Sequence, residues 1–362
     1  MMARKQRVVV AMSGGVDSAV AAGLLARQGY DVIGITMRLW TLDDPSAPPS
    51  KRRCCSVEDV DDARQAADAI GIPHYVLNME REFQDRVVDY FVAEYGRGRT
   101  PNPCLACNEH LKFRALLDRA VALDARYLAT GHYARIERRA GRYVLRRAVD
   151  DAKDQSYVLY TMGQTELAQT LFPLGTYSKP LIRELAREMR LDLAEKPDSA
   201  DICFVPDGDY RTFLRGRLPQ AAGVVRDAAG HVVGEHDGVA GFTIGQRKGL
   251  GRAFGEKRFV TGIDATLNVI TIGPEDELMA RALLAEDVRW TAGAAPAAEL
   301  RAHVKIRYRT PAAPATVTAL DAGRVRVVFD TPQRAITPGQ AAVFYDGDDV
   351  LGGGAIIRAE RP

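Results

Sequence analysis

The first 133 residues alternate short apolar runs with longer segments whose apolar positions recur at helical period. Runs of about four to eight residues have the length of buried strands, and they are RVVVAM (7–12), DVIGITM (31–37), HYVLNM (74–79) and RYLATGHY (126–133). Helices are predicted at 18–28, from an N-cap at Ser56 to Ile70, at 80–95 and at 108–123. Strands alternating with helices at this spacing imply right-handed crossovers and a parallel sheet covered on both faces. We therefore predict a doubly wound α/β domain over residues 1–205.

The pattern changes after residue 205. Long helical patterns give way to glycine-rich segments such as GVAGFTIGQRKGLGRAFG (238–255), and beyond Leu283 the chain consists of short strand patterns with turn signals. In RVRVVFD (324–330), residues Val325, Val327 and Phe329 alternate onto one face, and a hairpin is predicted to turn between Asp346 and Asp349. We predict a small central domain over 206–280 and a C-terminal β-barrel over 281–362.

Composition indicates a soluble globular protein, with 46% apolar and 27% charged residues. No stretch approaches the roughly 20 apolar residues that span a bilayer. The apolar run near the N-terminus is five residues long, shorter than the about 7–15 of a signal peptide. We therefore expect a cytoplasmic protein without a membrane partner. Thiols stay reduced in that compartment, so the five cysteines are not expected to form a structural disulfide framework.

The net charge of +2 says little about partners, but two local clusters are strongly basic. Residues 134–147 carry six arginines against one glutamate, and residues 245–258 carry five basic residues against one acidic residue. Such clusters can neutralise the phosphates of a nucleic acid, or they can form an ordinary solvated face. Both interpretations stay open from the charge pattern alone.

The sharpest chemical signal is AMSGGVDS (11–18), directly between a predicted strand and a predicted helix. Two adjacent glycines let the backbone approach a phosphate, and the following helix N-terminus offers N–H donors and a positive dipole end. Ser13 and Ser18 add hydroxyl groups, and Asp17 can help to hold Mg²⁺ on the phosphates. The P-loop lysine is absent, which argues against γ-phosphate transfer. The segment matches the SGGxDS loop of ATP pyrophosphatases, which release AMP and pyrophosphate.

ATP pyrophosphatases adenylate an oxygen that a nucleophile then displaces, so the cysteines of TPNPCLACN (100–108) are candidate nucleophiles. A zinc site would need two further ligands at suitable spacing, and Cys54 and Cys55 are adjacent. A thioredoxin-type pair opens a helix after a strand, whereas Cys104 and Cys107 are predicted in a proline-rich loop between helices. Buried inert thiols are a further alternative. A reactive thiol is the favoured interpretation, because Cys107 is expected at a helix start, where the dipole favours the thiolate.

Eight motifs occur in the order in which tRNA-specific 2-thiouridylases carry them: AMSGGVDS, GRTPNPCLACN with LKF, ATGHYAR, KDQSYVLY, DICF, GQRKGLG, KIRYR and PGQAAVFY. The chain resembles that family over essentially its whole length. The resemblance implies an enzyme that converts the wobble uridine of tRNA to 2-thiouridine with ATP and Mg²⁺. It also implies an ATP pyrophosphatase-type α/β domain, a small central domain and a C-terminal β-barrel.

The resemblance further implies roles for individual residues. Cys107 would be the nucleophile, while Cys203 would receive sulfur from a relay donor protein, carry it as a persulfide and end in a disulfide with Cys107. The nucleotide would be bound by Ala11, Met12, Ser13, Gly14, Gly15, Val16, Asp17, Ser18, Met37 and Gly131. The tRNA would be contacted by Asn102, Pro103, Cys104, His132, Lys153, Asp154, Gln155, Arg307, Tyr308 and Gln340, the first three at the target base.

Cys104 departs from the family pattern, because many members carry aspartate there as a suggested general acid or base. Cysteine could take that role only with a suitable pKa. Alternatively, Cys104, Cys107 and Cys203 could ligate a four-iron cluster that leaves one iron open for sulfide. Two other functions compete. A ligase of the argininosuccinate or asparagine synthetase type would not need these thiols, and a non-catalytic RNA-binding protein would not need an intact SGGVDS.

Overall fold

The computed structural model describes residues 5–40, 57–198, 202–205, 208–250, 255–296 and 299–361. Cys54, Cys55 and the predicted N-cap Ser56 lie outside these ranges. Among the described helices, none has the length and apolar composition needed to cross a bilayer.

The N-terminal domain is built on a five-stranded sheet in the order β3-β2-β1-β4-β7, and all of its pairings are parallel. Its strands are β1 (Arg7–Ala11), β2 (Asp31–Arg38), β3 (His74–Asn78), β4 (Tyr127–Thr130) and β7 (Thr170–Leu171). The sheet is covered on both faces, as predicted. Along β1, Val9 packs into one hydrophobic core, and Val8 and Val10 pack into the opposite core, because successive side chains of a strand point to opposite faces.

The helices of this domain largely match the predicted segments. They are α1 (Val16–Arg27), α2 (Val57–Ile70), α3 (Glu80–Phe83), α4 (Asp89–Gly96), α5 (Pro103–Ala106), α6 (Leu117–Ala122), α7 (Gln164–Ala168) and α8 (Lys179–Glu188). A π-helical segment, Gln84–Val88, joins α3 to α4, and another, Cys107–Leu116, joins α5 to α6. One helix therefore runs from Pro103 to Ala122.

The prediction that Cys104 and Cys107 lie in a loop is wrong, because both cysteines lie inside that helix. The Asn102 side chain caps it by accepting a hydrogen bond from the backbone N–H of Cys104 at 3.0 Å, and Pro103 occupies the first helical position. Proline is favoured there because the missing N–H would have no partner within the helix. The helix thus begins five residues earlier than the apolar pattern predicted.

The central domain begins with α9 (Tyr210–Arg215) and contains a four-stranded sheet in the order β10-β11-β8-β9. Its strands are β8 (Gly223–Asp227), β9 (Val232–His236), β10 (Phe259–Asp264) and β11 (Val269–Gly273). Val225, Val260 and Ile270 are buried in its small core.

The C-terminal domain is a closed six-stranded barrel, as predicted. Its strands are β12 (Met279–Trp290), β13 (Leu300–Lys305), β14 (Ala313–Ala319), β15 (Val325–Arg334), β16 (Ala341–Asp346) and β17 (Asp349–Glu360). Closure arises because β12 pairs with both β15 and β17. Val325, Val327 and Phe329 are buried in the barrel core, and the chain turns between Asp346 and Asp349, which confirms both local predictions.

A hairpin from the N-terminal domain extends the barrel sheet. Its strands, β5 (Ala134–Arg139) and β6 (Arg142–Arg147), pair with each other, and Arg146 of β6 lies opposite Asp349 of β17. The segment before the cysteine helix is also bonded to the barrel, since Thr100 N–H donates to the carbonyl of Pro338 at 2.8 Å. The barrel is therefore joined to the N-terminal domain on both sides of the cysteine helix in sequence.

Candidate active site

The segment Met12–Gly15 joins the carboxyl end of β1 to the N-terminus of α1. The backbone N–H of Ser13 donates to Ser18 Oγ at 3.1 Å, and the Ser18 hydroxyl donates to the Gly15 carbonyl at 3.0 Å. Gly14 has a φ of +72°, and a Cβ there would lie 2.2 Å from the carbonyl oxygen of Asp59, so only glycine fits. No described side chain caps α1 at Gly15. The helix N-terminus is therefore available to an anion.

The strand order explains why this loop forms a site. β1 lies between β2 and β4: the chain runs from β1 through β2 to β3 on one side and then crosses to β4 on the other side. Ligands of parallel sheets bind at such a switch point, outside the carboxyl ends of the strands. Gly131 directly follows β4, and a Cβ there would lie 2.7 Å from the backbone nitrogen of Ser18. Met37, near the end of β2, is at the same edge. The fold thus brings together the residues predicted to bind the nucleotide.

Asp17, in the first turn of α1, lies at the centre of a charge network. Its two carboxylate oxygens accept hydrogen bonds from Lys179 Nζ at 2.7 and 2.9 Å, and Oδ1 also accepts one from the Tyr133 hydroxyl at 2.8 Å. Lys179 Nζ lies 2.7 Å from Asp198, whose other oxygen pairs with Lys153 at 2.7 Å. Burial, and then the charge of Asp17, raise the pKa of Tyr133, so its hydroxyl remains a donor.

Lys196 holds the loop against α2. Its ammonium donates to the carbonyl of Gly14 at 2.9 Å and pairs with Asp59 at 2.7 Å and Asp62 at 2.6 Å. The carbonyl of Gly14 is therefore satisfied by a residue that is 182 positions away in the chain. These contacts fix the conformation in which the loop presents its glycines.

The three candidate thiols differ in exposure. Cys104 is exposed, Cys107 is buried within the core of the N-terminal domain, and Cys203 is partly exposed and packs against that core. Since the helix begins at Pro103, its N-terminal dipole acts more on Cys104 than on Cys107. The expectation that Cys107 stands at the helix start is therefore wrong, and the dipole does not distinguish it as the thiolate.

Cys104 is accessible to solvent, yet desolvation by the surrounding protein raises its pKa. The Cys203 sulfur raises this pKa further, and the Lys112 ammonium opposes the shift. Cys104 and Cys203 are thus electrostatic neighbours although they are far apart in sequence. At neutral pH Cys104 is a protonated thiol, which can donate a hydrogen bond but is a weak nucleophile.

His132 lies between the end of β4 and the cysteine helix. It follows Gly131, and it is buried with Nδ1 2.7 Å from Thr130 Oγ1 and Nε2 3.5 Å from Lys112 Nζ. Burial, followed by the charge of Lys112, holds the pKa of His132 well below its usual range. The ring is therefore neutral, and its Nε2 accepts from Lys112 when Nδ1 carries the proton.

Two residues predicted to contact tRNA use their side chains for hydrogen bonds within the protein. Asp154 is 5% exposed, and its carboxylate accepts hydrogen bonds from the N–H groups of Ala148 and Ser156 and from the Ser156 hydroxyl. The Gln155 side-chain oxygen accepts from the backbone N–H of Tyr133 at 2.9 Å. In this conformation both side chains order the segment that follows β4.

Arg307 joins the central domain to the barrel. Its Nη2 donates to the carbonyls of Ile244 and Ala335 at 3.1 Å and to Thr337 Oγ1 at 2.5 Å. Burial lowers the pKa of Arg307 from its usual value. The adjacent Tyr308 packs edge-on against another aromatic ring, Tyr157, with ring centres 6.0 Å apart.

Gln340 joins the barrel to the segment before the cysteine helix, because its Nε2 donates to the carbonyl of Thr100 at 2.7 Å. The Thr100 hydroxyl in turn donates to Thr243 Oγ1 in the central domain at 3.2 Å. Thr100, three residues before the cysteine helix, is therefore bonded to both other domains.

The 134–147 cluster is largely neutralised by acidic residues. Arg135 and Arg139 each pair at 2.7 Å, with Asp348 and Asp349 respectively, and Arg146 contacts both aspartates. Three of the six arginines that the sequence suggested for a nucleic acid thus pair with the barrel instead. Part of the 245–258 cluster, residues 251–254, lies outside the described ranges.

The described residues contain no group of three histidine, cysteine or acidic side chains that could hold a metal ion. Cys104, Cys107 and Cys203 therefore do not fit the proposed iron–sulfur cluster in this arrangement. Mg²⁺ makes a smaller demand, because it binds nucleotide phosphates with one or two carboxylates and keeps several waters. Asp17 at the phosphate loop fits that requirement.

Three family models match successive parts of the chain. A tRNA methyl transferase HUP domain matches residues 6–207, a tRNA methyl transferase PRC-barrel domain matches 211–274, and an aminomethyltransferase β-barrel domain matches 280–356. These ranges correspond to the parallel-sheet domain, the central domain and the barrel described above.

Curated relatives match over nearly the full length. A tRNA-specific 2-thiouridylase MnmA from Pelotomaculum thermopropionicum is 50% identical, with 97% of each chain covered. A protein of the same description from Caldanaerobacter subterraneus is also 50% identical and covers 99% of this chain and 100% of its own. Among solved structures, a 4-thiouridine synthetase in complex with RNA and ATP is 19% identical, with a TM-score of 0.35 over 59% of this chain and 50% of that chain.

Proposed function

Because this chain belongs to the tRNA-specific 2-thiouridylase family, whose members are tRNA sulfurtransferases, we propose that it replaces the C2 oxygen of the wobble uridine by sulfur in an ATP-dependent reaction. One observation carries the proposal: a series of neighbouring residues runs from the nucleotide loop to the thiols. Gly131 packs on the loop, His132 contacts Lys112, and the Lys112 charge acts on Cys104, which neighbours Cys203. A base activated at the loop would therefore lie within reach of the sulfur.

The first step is adenylation. The C2 oxygen of uracil attacks the α-phosphate of ATP, the bond to the β-phosphate breaks, and pyrophosphate leaves. The first N–H groups of α1 and the glycines of the loop bind the phosphates, and Mg²⁺ held with Asp17 would neutralise part of their charge. The oxygen is then part of a good leaving group, AMP. The target base must leave the anticodon stack to reach this site, as enzymes that modify bases require.

The second step is sulfur transfer. A relay donor protein transfers sulfur to Cys203, which becomes a persulfide. The terminal sulfur of this persulfide attacks C2 and displaces AMP. The Cys107 thiolate then attacks the Cys203 sulfur, which leaves sulfur on C2 and a Cys107–Cys203 disulfide. A thiol reductant supplies two electrons to reopen that disulfide. Cys104, as a protonated thiol beside the base, would orient it by donating a hydrogen bond.

Cysteine variants test this division of roles with tRNA transcript, ATP and a persulfide donor. Cys203→Ser should lose persulfide loading, and Cys107→Ser should load sulfur but form no 2-thiouridine, while both should still release pyrophosphate in a single turnover. Asp17→Ala is the matched control, because it should load sulfur normally and fail to release pyrophosphate. Mass spectrometry of the protein and of the tRNA nucleosides gives each readout. Wild-type 2-thiouridine formation by Cys203→Ser would refute the relay.

A further inference from the structure

The phosphate loop contains no lysine or arginine, and Lys179 places a positive charge beside it. The residue is 7% exposed and opens α8, and its ammonium reaches both oxygens of Asp17 and one of Asp198. A buried ammonium is costly unless it is paired. Two carboxylates therefore hold the Lys179 ammonium in a defined position beside the first turn of α1.

The cations near Asp17 remove a repulsion that would oppose a polyanion. The carboxylates of Asp17 and Asp198 would repel the phosphates of ATP if they stood alone. Lys179, Lys153 and Arg183 approach these two carboxylates and offset their charge. Asp17 and Asp198 therefore do not oppose the phosphates that the α1 N-terminus attracts.

The surroundings of Lys179 leave room for such a ligand. Lys153, Lys179 and Arg183 line a cleft of about 480 Å³, with the acidic side chains Asp150 and Glu184 also on its wall. The Lys179 backbone N–H is bonded to Asp150 at 2.9 Å, which fixes the start of α8 at this cleft. With Arg187, four cations line this cleft, and Lys179 also contacts Asp17 at the nucleotide loop.

We infer that Lys179 binds the β- and γ-phosphates of ATP and remains in contact with them as they leave as inorganic pyrophosphate. When the bond between the α-phosphorus and the bridging oxygen breaks, the electron pair passes to the β-phosphate oxygen, and the Lys179 ammonium stabilises that charge without giving up a proton. Lys179 takes the role that a lysine inside the loop has in P-loop enzymes. This inference rests on the proposed function for the identity of the reaction.

The test uses Lys179→Met in the full chain. Pyrophosphate release in the presence of tRNA should slow by about 100-fold to 1,000-fold, as when one preorganised donor is removed from an active site. Calorimetric titration with inorganic pyrophosphate, without tRNA, should show affinity about 10-fold to 100-fold weaker. Lys179→Arg should recover part of both. The matched control is Arg27→Met, because Arg27 pairs with Glu188 at the other end of the same two helices, and this variant should keep wild-type values.

A double variant separates binding from folding. In Lys179→Met/Asp198→Asn one of the two carboxylates that pair with Lys179 is neutralised as well, so part of the lost thermal stability should return while pyrophosphate affinity and release stay low. Wild-type pyrophosphate release by the double variant would overturn the inference and leave Lys179 a structural cation. The proposed function fails separately, if the wild-type protein binds pyrophosphate but forms no 2-thiouridine.

Discussion

Truncation of Arg307 should loosen the junction between the central domain and the barrel. One guanidinium nitrogen serves the carbonyls of Ile244 and Ala335 and the hydroxyl of Thr337. Each hydrogen bond from a charged donor is worth roughly 1.5–3 kcal/mol, but a nitrogen with two hydrogens makes at most two such bonds at a time. Allowing for partial exposure, Arg307→Ala should cost about 2–4 kcal/mol, which lowers the melting temperature by at least about 4 °C.

The same variant should change tRNA binding in a characteristic way. A lost phosphate contact flattens the dependence of log affinity on log salt by about one unit. A loosened junction instead weakens binding by a similar factor at every salt concentration and leaves the slope unchanged. Binding titrations from low to high salt, run beside thermal unfolding, measure both quantities.

Arg309→Ala is the control, because Arg309 is exposed two residues further along the chain. It should leave the melting temperature unaltered. The reasoning would be refuted if Arg307→Ala melted like the wild type and its salt slope fell by about one unit. Arg307 would then contact tRNA directly, as the family resemblance implies.

Three further changes test the site. Gly14→Ala should abolish ATP binding in calorimetry and destabilise the protein by about 1–3 kcal/mol, since the new Cβ meets the Asp59 carbonyl at a positive φ; wild-type ATP affinity would contradict this. Cys104→Ala should slow thiolation less than about tenfold and leave sulfur loading intact, whereas complete loss together with bound iron in the wild type would restore the cluster model. His132 is neutral when folded but takes a proton below pH of about 6.5 when unfolded. Stability should therefore fall as pH drops from 7.5 to 5.5, and His132→Gln should reduce that fall in melting temperature; an equal fall in both proteins would exclude His132 as its cause.

The parts of the fold that were predictable have local causes. The strand β1 is visible as an apolar run because it is buried on both faces, and Val325, Val327 and Phe329 alternate because one face of β15 lines the barrel core. The glycine loop was recognisable because a tight turn against a phosphate restricts residue choice at adjacent positions. The helix start at Pro103 also had its signals, an asparagine cap and a proline, but the second proline nearby favoured a loop interpretation.

The missed residues have long-range causes. Lys179 is 162 positions from Asp17, and Lys196 is 182 positions from Gly14, so no window of sequence contains both partners. The role of Lys112 could not be predicted, because it depends on the packing of the cysteine helix beside His132. Similarly, an arginine in a basic motif suggests a surface contact, and nothing local indicates that Arg307 is directed at carbonyls of two domains.

The extension of the barrel sheet by β5 and β6 has a consequence for protein synthesis. The ribosome completes β6 at Arg147 about 200 residues before it begins β17 at Asp349, which at 5–20 residues per second is a delay of roughly 10–40 s. During that interval the arginines of the hairpin lack Asp348 and Asp349, and one strand edge has no partner. A nascent chain stalled before β17 would therefore expose a basic strand edge that chaperones or RNA could occupy. Once β17 has been translated, it pairs with this edge and covers it.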